Sequence, residues 1–234
     1  MEDRGFPAFE RAELARALRN IGHPQSSVRL VALSSLTSNC SRRTAKSIVN
    51  VLIDVASDPE AEVRHQAVLC LGRSAGLAGT DFVERACEVL LRSTYDPEPL
   101  VRSAAICALG DFHGSVPEDR KAQLRVRVLD LTSDAHEVVR LSAIGFLEPV
   151  REFMTQAEAR RTAARIFELL EDRSDSVQSS AANTLTCYQD VLPAEQWSFV
   201  LDASMRYSER GQTAWLRLPP RRWRRRRRRR RAKG

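Results

Sequence analysis

Apolar residues recur along the chain at a helical spacing, and the whole pattern repeats every 35 to 38 residues. Each copy begins with a valine: Val28, Val63, Val101, Val139 and Val177. Alanine follows four residues later and leucine eight residues later in all five copies. Positions 0, 4 and 8 lie on one stripe of an α-helix, so the pattern predicts five equivalent amphipathic helices. Self-similarity at this period indicates a repeat architecture.

A second apolar stripe precedes each of these helices, and a step of 38 residues aligns Leu52, Leu90, Val128 and Ile166 within it. Each repeat is therefore predicted to be a helical hairpin with a first and a second helix. The expected fold class is all-α, an α-solenoid of about five hairpins with a terminal helix and a disordered basic tail. The predicted hairpins cover residues 8–38, 42–75, 80–112, 117–152 and 155–189, a capping helix covers 193–208, and the tail covers 209–234.

Polar residues keep the same register as the apolar stripes. Aspartate stands five residues before the valine in four copies, and arginine stands one residue after it in four copies. We expect the aspartates to be N-caps, with Pro59 and Pro97 at the first helical position. We also expect several glycines to terminate the second helices: Gly72, Gly76, Gly79, Gly110 and Gly114.

The pattern Asp-…-Val-Arg-x-x-Ala-x-x-x-Leu-Gly resembles HEAT repeats, and in its regularity the short bacterial HEAT-like, PBS-lyase-type repeats, over roughly residues 8–208. The resemblance implies an armadillo-like helical fold and a ladder of Asp and Arg that runs from repeat to repeat. The matching residues are Asp58, Arg64, Asp96, Arg102, Asp134 and Arg140. His23 replaces the first aspartate and Gln178 the last arginine, so we expect the ladder to fray at both ends.

A solenoid of this kind offers a concave surface, usually lined by the second helices, to extended partners. The residues two, three and six positions after the valines are small or mildly apolar and include no Lys or Arg. Because a nucleic-acid groove needs cations, the surface favours a protein or peptide partner. Some of these residues could instead pack against the next repeat. The candidate protein-binding residues are His65, Gln66, Leu69, Ser103, Ala104, Leu141 and Ser142.

Several enzymes have similar repeats, but the residues that carry their chemistry differ from those of this chain. The di-iron deoxyhypusine hydroxylases carry His-Glu pairs after the repeat arginine, whereas Arg64 is followed by His65 and Gln66, and His136-Glu137 lies on the turn. Bilin lyases and HEAT-like alkylbase DNA glycosylases also resemble the repeat, but we find no chromophore motif and no basic groove. We expect no catalytic, cofactor-binding or metal-binding residue and no cofactor, with a HEAT-like lyase or metal-dependent enzyme as the second alternative.

The net charge of +7 is unevenly distributed. Residues 217–234 hold eleven Arg and one Lys without an acid, and the other 216 residues hold 25 basic against 30 acidic side chains. Such a charge density predicts disorder and non-specific binding of polyanions, which makes a nucleic-acid-associated protein the first alternative function. A low-complexity or frameshifted end without a selected role is equally open. The candidate polyanion-binding residues are Arg221, Arg222, Trp223, Arg224, Arg225, Arg226 and Arg227.

Five cysteines form no C-x-x-C pair and are odd in number, which favours a reduced, cytoplasmic setting. The N-terminus has no apolar segment of the kind found in signal peptides, and the most apolar run, residues 47–56, is too short to be transmembrane. The preferred hypothesis is a non-enzymatic scaffold or adaptor that binds a protein or peptide on its concave face.

Overall fold

The computed structural model describes residues 8–38, 40–116 and 118–209. Within these ranges it contains eleven α-helices and no strand, which confirms the all-α class and the α-solenoid. The helices are α1 Ala8–Asn20, α2 Ser26–Ser38, α3 Ala45–Val55, α4 Ala61–Ala78, α5 Thr80–Ser93, α6 Pro99–Phe112, α7 Glu118–Leu131, α8 Glu137–Val150, α9 Gln156–Glu168, α10 Asp175–Leu185 and α11 Ala194–Glu209.

The chain divides into two compact units, Met1–Met154 and Thr155–Gly234. In the first unit each first helix packs against its own second helix, as α3 does against α4. The second helices α2, α4, α6 and α8 also pack against one another in order, and we call them the second-helix layer. In the second unit α10 packs against α9 and α11. The predicted single domain over residues 8–208 stays a prediction.

The apolar stripe of the second helices forms the core of each unit. In the last four repeats the valine, alanine and leucine of the stripe are all fully buried, as Val101, Ala105 and Leu109 are. Burial of one such valine or leucine side chain stabilises the fold by about 1.5–3 kcal/mol before the entropy of ordering is subtracted. The alanine at the centre of the stripe leaves room for the neighbouring helix.

The second helices of the middle repeats begin two residues later than predicted. Glu60, Glu98 and His136 are the N-cap residues of α4, α6 and α8, and none makes a side-chain cap hydrogen bond. The prediction that the aspartates are N-caps is therefore wrong. Each aspartate instead accepts a hydrogen bond from the backbone N–H two residues on, such as the 2.9 Å bond from Glu98 N to Asp96 Oδ1. This is an Asx turn, which takes two residues before the helix starts.

The two prolines are displaced by the same turn. α4 begins at Ala61 and α6 at Pro99, so Pro59 and Pro97 precede the helices and do not occupy their first positions. Pro99 holds the first position of α6, where the missing N–H costs nothing.

Gly72 lies inside α4 and does not terminate it, which corrects the prediction. A Cβ atom at this position would lie 2.6 Å from the Cα of Ala108 on α6, so only glycine allows the two backbones to approach this closely. Gly79, with a φ of 109°, follows the last residue of α4 and ends it.

Candidate protein-binding surface

The second-helix layer of the first unit carries the predicted protein-binding residues, and it buries two of the seven. Ser103 and Ala104 are buried in α6. Ser103 Oγ lies 2.8 Å from Ser142 Oγ on α8, so the two hydroxyls bond to each other across the repeat boundary. For these two residues the structure supports the alternative, that they pack within the repeat stack, and their burial leaves little surface for a partner.

The other five predicted residues are half-buried: His65, Gln66, Leu69, Leu141 and Ser142. Some of their polar atoms already have partners within the layer. Gln66 Nε2 lies 3.5 Å from Cys70 Sγ, and Ser142 Oγ donates to the carbonyl oxygen of Val138 at 3.0 Å. Cys70 also meets Thr37 Oγ1 of the preceding repeat at 2.6 Å, and burial raises the pKa of its thiol.

The layer also exposes apolar side chains, two of them at a position that is not among the predicted binding positions. Leu100 and Val138 stand one residue before the buried valines of α6 and α8 and are 51% and 36% exposed. Val31 on α2 is 68% exposed. The position before the valine lies opposite the buried stripe at 100° per residue, so helical geometry could have identified it. Leu100 and Val138 thus occupy equivalent positions in two adjacent repeats, where α4 has the charged Glu62.

The arginines that follow the buried valines form a ladder from repeat to repeat. Arg64 donates from Nε and Nη2 to the two carboxylate oxygens of Asp96 at 2.8 and 2.9 Å. Its Nη1 donates to the carbonyl oxygens of Asp58 and Pro59 at 2.9 and 3.0 Å. Arg102 repeats this geometry with Asp134. Each arginine therefore closes the turn of its own repeat and binds the aspartate of the next repeat.

The ladder shifts the protonation equilibria of its carboxylates. Burial raises the pKa of Asp96, but the hydrogen bond from Arg64 and the backbone N–H of Glu98 outweigh it, so the pKa of Asp96 is lowered. The pKa of Asp134 is lowered in the same way, with Arg102 and the N–H of His136 opposing burial. These carboxylates are charged at neutral pH and bound to arginine, which makes them structural.

The first end of the ladder does not fray, which corrects the prediction. Arg29 Nη2 donates to Asp58 Oδ1 at 2.8 Å, so the first repeat is tied to the second. His23 replaces the aspartate of the first turn, and its Nδ1 accepts from Gln25 N at 3.1 Å as an aspartate oxygen would. Because each rung joins an arginine to the following repeat, a missing aspartate in the first repeat removes no rung.

The layer also exposes charged side chains of both signs. Glu62 and Arg73 are exposed on α4, and Asp111 is exposed on α6. Partial burial of its carboxylate raises the pKa of Asp111, while the positive charge of Arg73 acts in the opposite direction. The surface therefore combines aliphatic side chains with single charges and has no continuous row of cations.

In the part of the chain that the structure describes, no group of three or more His, Cys, Asp or Glu side chains is placed to hold a metal ion. No helix among the described residues is long and apolar enough to cross a membrane. The seven predicted polyanion-binding residues, from Arg221 to Arg227, lie outside the described residues.

Comparison with protein families gives one match. The family described as HEAT repeats matches residues 12–110 and 49–148, which together exceed half of the chain and confirm the resemblance. The comparison with curated proteins found no match.

Solved structures share the fold at low sequence identity. The crystal structure of Cex1p aligns with a TM-score of 0.63 and 18% identity over 81% of this chain, which corresponds to only 37% of the length of Cex1p. The complex of CpcE and CpcF of phycocyanin lyase from Nostoc sp. PCC7120 aligns with a TM-score of 0.56 and 20% identity over 74% of this chain and 98% of that chain. A designed armadillo repeat protein in complex with the peptide (KR)4 aligns with a TM-score of 0.56 and 16% identity over 86% and 92% of the two chains.

Proposed function

Because the chain belongs to the HEAT-repeat family, we propose that it is a non-enzymatic scaffold that binds a protein or peptide partner on the second-helix layer of its first unit. The observation that carries the proposal is the exposed apolar pair Leu100 and Val138, which occupies equivalent positions in adjacent repeats. Exposed apolar side chains grouped on one surface are typical of protein-interaction sites. Their repetition suits a partner that extends along the repeats.

The charges of the layer favour a protein over a nucleic acid. The ladder arginines are bound to aspartates, and the exposed charged residues of α4 and α6 include Glu62 and Asp111 as well as Arg73. Phosphate backbones are bound by rows of Lys and Arg. A peptide partner needs only apolar anchors and a few charges of either sign.

Two of the structural relatives support the class of partner. The designed armadillo repeat protein is in complex with a peptide, and the phycocyanin lyase subunits CpcE and CpcF are in complex with each other. For the present chain we propose a cytoplasmic, reduced setting, which is supported by its five cysteines, since none of them forms a disulfide.

The test uses the full chain and a displayed library of random peptides. We expect peptides to be enriched, and we expect Leu100→Glu or Val138→Glu to weaken their binding at least ten-fold. Val126→Glu is the matched control, because Val126 is 55% exposed but lies on the first helix α7. A library that yields no binding peptide would contradict the proposal, as would peptides that bind all three variants equally well.

A second candidate function is association with nucleic acid through the Arg-rich residues 221–231. The observation that favours it is the run of arginines without a compensating acid, which would release counterions from a polyanion on binding. Replacement of Arg224, Arg225, Arg226 and Arg227 by Gln in the full chain is expected to weaken binding of both single- and double-stranded DNA and RNA and to reduce its salt dependence. Unchanged binding in the variant would contradict a role of these arginines in nucleic-acid binding.

A further inference from the structure

Three equivalent positions of the second-helix layer form a row across adjacent repeats, which we call the Glu62 row. Glu62, Leu100 and Val138 each stand one residue before the buried valine of α4, α6 and α8, and all three side chains are exposed. α4 packs against α6, and α6 packs against α8. Equivalent residues of neighbouring repeats lie side by side in a stack of this kind. The row therefore runs from a carboxylate to two aliphatic side chains.

The charge of the Glu62 row is negative. Ladder ion pairs hold two of the arginines at the starts of these helices, and burial covers the third: Arg64, Arg102 and Arg140. Exposed carboxylates remain in the first turns, Glu62 in α4 and Glu137 in α8. Arg73, the exposed cation of α4, stands eleven residues after Glu62, about 16 Å further along the helix. The row thus favours a cation on its partner.

The apolar part of the row is one side chain wide. Four residues further along the helices, Ala104 is buried and Ser142 carries a hydroxyl. Two residues before the row, Glu98 and His136 are polar. An amphipathic partner helix would bury a stripe at least about 100° wide, so a single line of side chains suits an extended chain better. Strand addition needs an open sheet edge, and the described residues contain no strand.

The separation of the second helices sets the spacing of side chains on such a partner. Packed helices lie about 8–10 Å apart. In the polyproline II conformation each residue advances about 3.1 Å, so every third residue faces the same side at intervals of about 9 Å. In a β-strand, alternate residues share a side at intervals of only about 7 Å. Polyproline II spacing therefore places one partner side chain on each repeat.

We propose that the Glu62 row binds an extended peptide in the polyproline II conformation with the pattern cation-x-x-apolar-x-x-apolar, in either chain direction. This inference rests on the proposed function and specifies its partner. The cation of the peptide lies at Glu62, and its two apolar side chains lie at Leu100 and Val138. The apolar contacts supply most of the affinity, since an exposed ion pair contributes little. The cation sets the register, because one of the three positions carries a carboxylate.

Synthetic peptides and the full chain test the spacing in fluorescence-anisotropy titrations. One peptide carries Lys-x-x-Leu-x-x-Leu and a second carries the reverse order, with Pro and Gln at the x positions. We expect at least one of the two to bind ten-fold more tightly than peptides of the same composition with two-residue spacing. Peptides with seven-residue spacing, which would suit a helical partner, should also bind at least ten-fold more weakly.

Charge exchange tests the register. Glu62→Lys should weaken binding of the lysine peptide about five-fold at low ionic strength, and added salt should reduce the difference. Replacement of the peptide's lysine by glutamate should restore binding to this variant. Glu84→Lys is the matched control, because it makes the same charge change at an exposed glutamate of the first helix α5 and should leave binding unchanged.

Two results would overturn this inference. One is equal binding of peptides with two-, three- and seven-residue spacing, and the other is an equal effect of Glu62→Lys and Glu84→Lys. In both cases, loss of peptide binding in Leu100→Glu would leave the proposed function intact. Absence of any binding peptide, from these designs and from the random library, would contradict the proposed function as well.

Discussion

The two units start their helices in different ways. In the first unit, α4, α6 and α8 have no side-chain N-cap, and the preceding aspartates bind a backbone N–H, with Asp58, Asp96 and Asp134 also binding the arginine of the previous repeat. In the second unit, α9 begins with a capping box of Thr155 and Glu158, and α10 begins with Ser174, whose Oγ accepts from Val177 N at 3.4 Å.

The ion pairs of the first unit join one repeat to the next, whereas the caps of the second unit act within a single helix. In the second unit Gln178 replaces the arginine, and its Nε2 still donates to the carbonyl oxygen of Asp172. Glutamine thus keeps the local half of the arginine's role, the closure of the turn, without its charge. An almost buried ion pair leaves a charge behind when it is broken, whereas a lost cap leaves one unpaired N–H. The ladder should therefore matter more to stability than the caps do.

The largest effect on the free energy of unfolding is expected when glutamine replaces arginine at one rung of the ladder. Arg102→Gln should keep the hydrogen bond to the turn carbonyl but lose the ion pair with Asp134. The side chains of Arg102 and Asp134 are 13% and 9% exposed. We expect the free energy of unfolding in urea to fall by about 2–4 kcal/mol. Gln178→Arg is the reverse exchange and should change it by less than about 1 kcal/mol, because Arg210 and not Asp stands one repeat later. Equal effects would show that the rung is not what stabilises the first unit.

The close contact of α4 and α6 is tested by two glycines of the same helix. Gly72→Ala should lower the free energy of unfolding by about 1–3 kcal/mol, because the new Cβ would lie 2.6 Å from the backbone of Ala108. Gly76→Ala is the control, with nothing within 4 Å of its added Cβ, and should raise stability by up to about 1 kcal/mol through helix propensity. Urea denaturation of both variants measures the sign of each change in the free energy of unfolding. A stabilising effect of Gly72→Ala would contradict the close contact between α4 and α6.

The caps of the second unit should give a smaller effect. Thr155→Ala and Ser174→Ala each remove a side-chain acceptor at a helix start and should cost about 1 kcal/mol. Glu60→Ala, at the N-cap of α4, removes a side chain without a cap hydrogen bond and should change stability by less than about 0.5 kcal/mol. Thermal unfolding followed by circular dichroism compares the three, and an equal loss for Glu60→Ala would remove the contrast between the units.

The smallest effect is expected in acid. The folded-state pKa values of Asp96 and Asp134 are lowered, so the stability they contribute is present above the ordinary carboxyl pKa and is lost as the pH falls through the lowered values. The free energy of unfolding should therefore decline below about pH 4. In Arg64→Gln/Arg102→Gln this part of the decline should become smaller, since the carboxylates keep only their backbone hydrogen bonds and no longer bind arginine. Urea titrations between pH 7 and pH 3 measure it; parallel curves for the two proteins would contradict the assignment.

Much of the fold could be predicted because its signal is local. The buried stripe of Val101, Ala105 and Leu109 has the period of a helix, and its recurrence predicts the hairpins directly. The helix starts were misplaced because an aspartate can serve either as an N-cap or in an Asx turn, and the two uses differ only in which N–H it accepts from. The end of the ladder at Arg29 was misjudged because the rung runs forward to Asp58 and not back to its own repeat.

The candidate surface was less predictable. Ser103 and Ala104 are small residues on the side of α6 that turns toward α8, and only the packing of these two helices buries them. Leu100 and Val138 adjoin the buried valines in sequence, but around the helix they lie opposite the buried stripe as a whole.

The sequence by itself determined which residues form helices, which side of each helix is apolar and how often the unit recurs. These properties follow from side-chain spacing along a single helix, which needs no knowledge of the neighbours. The tertiary structure decided which aspartate each arginine binds and which small residues of the second helices are buried. It also decided which glycine packs against the backbone of a neighbouring helix. Those outcomes depend on how closely one backbone approaches another, and the distance between Gly72 and Ala108 is set by the packing of two helices together.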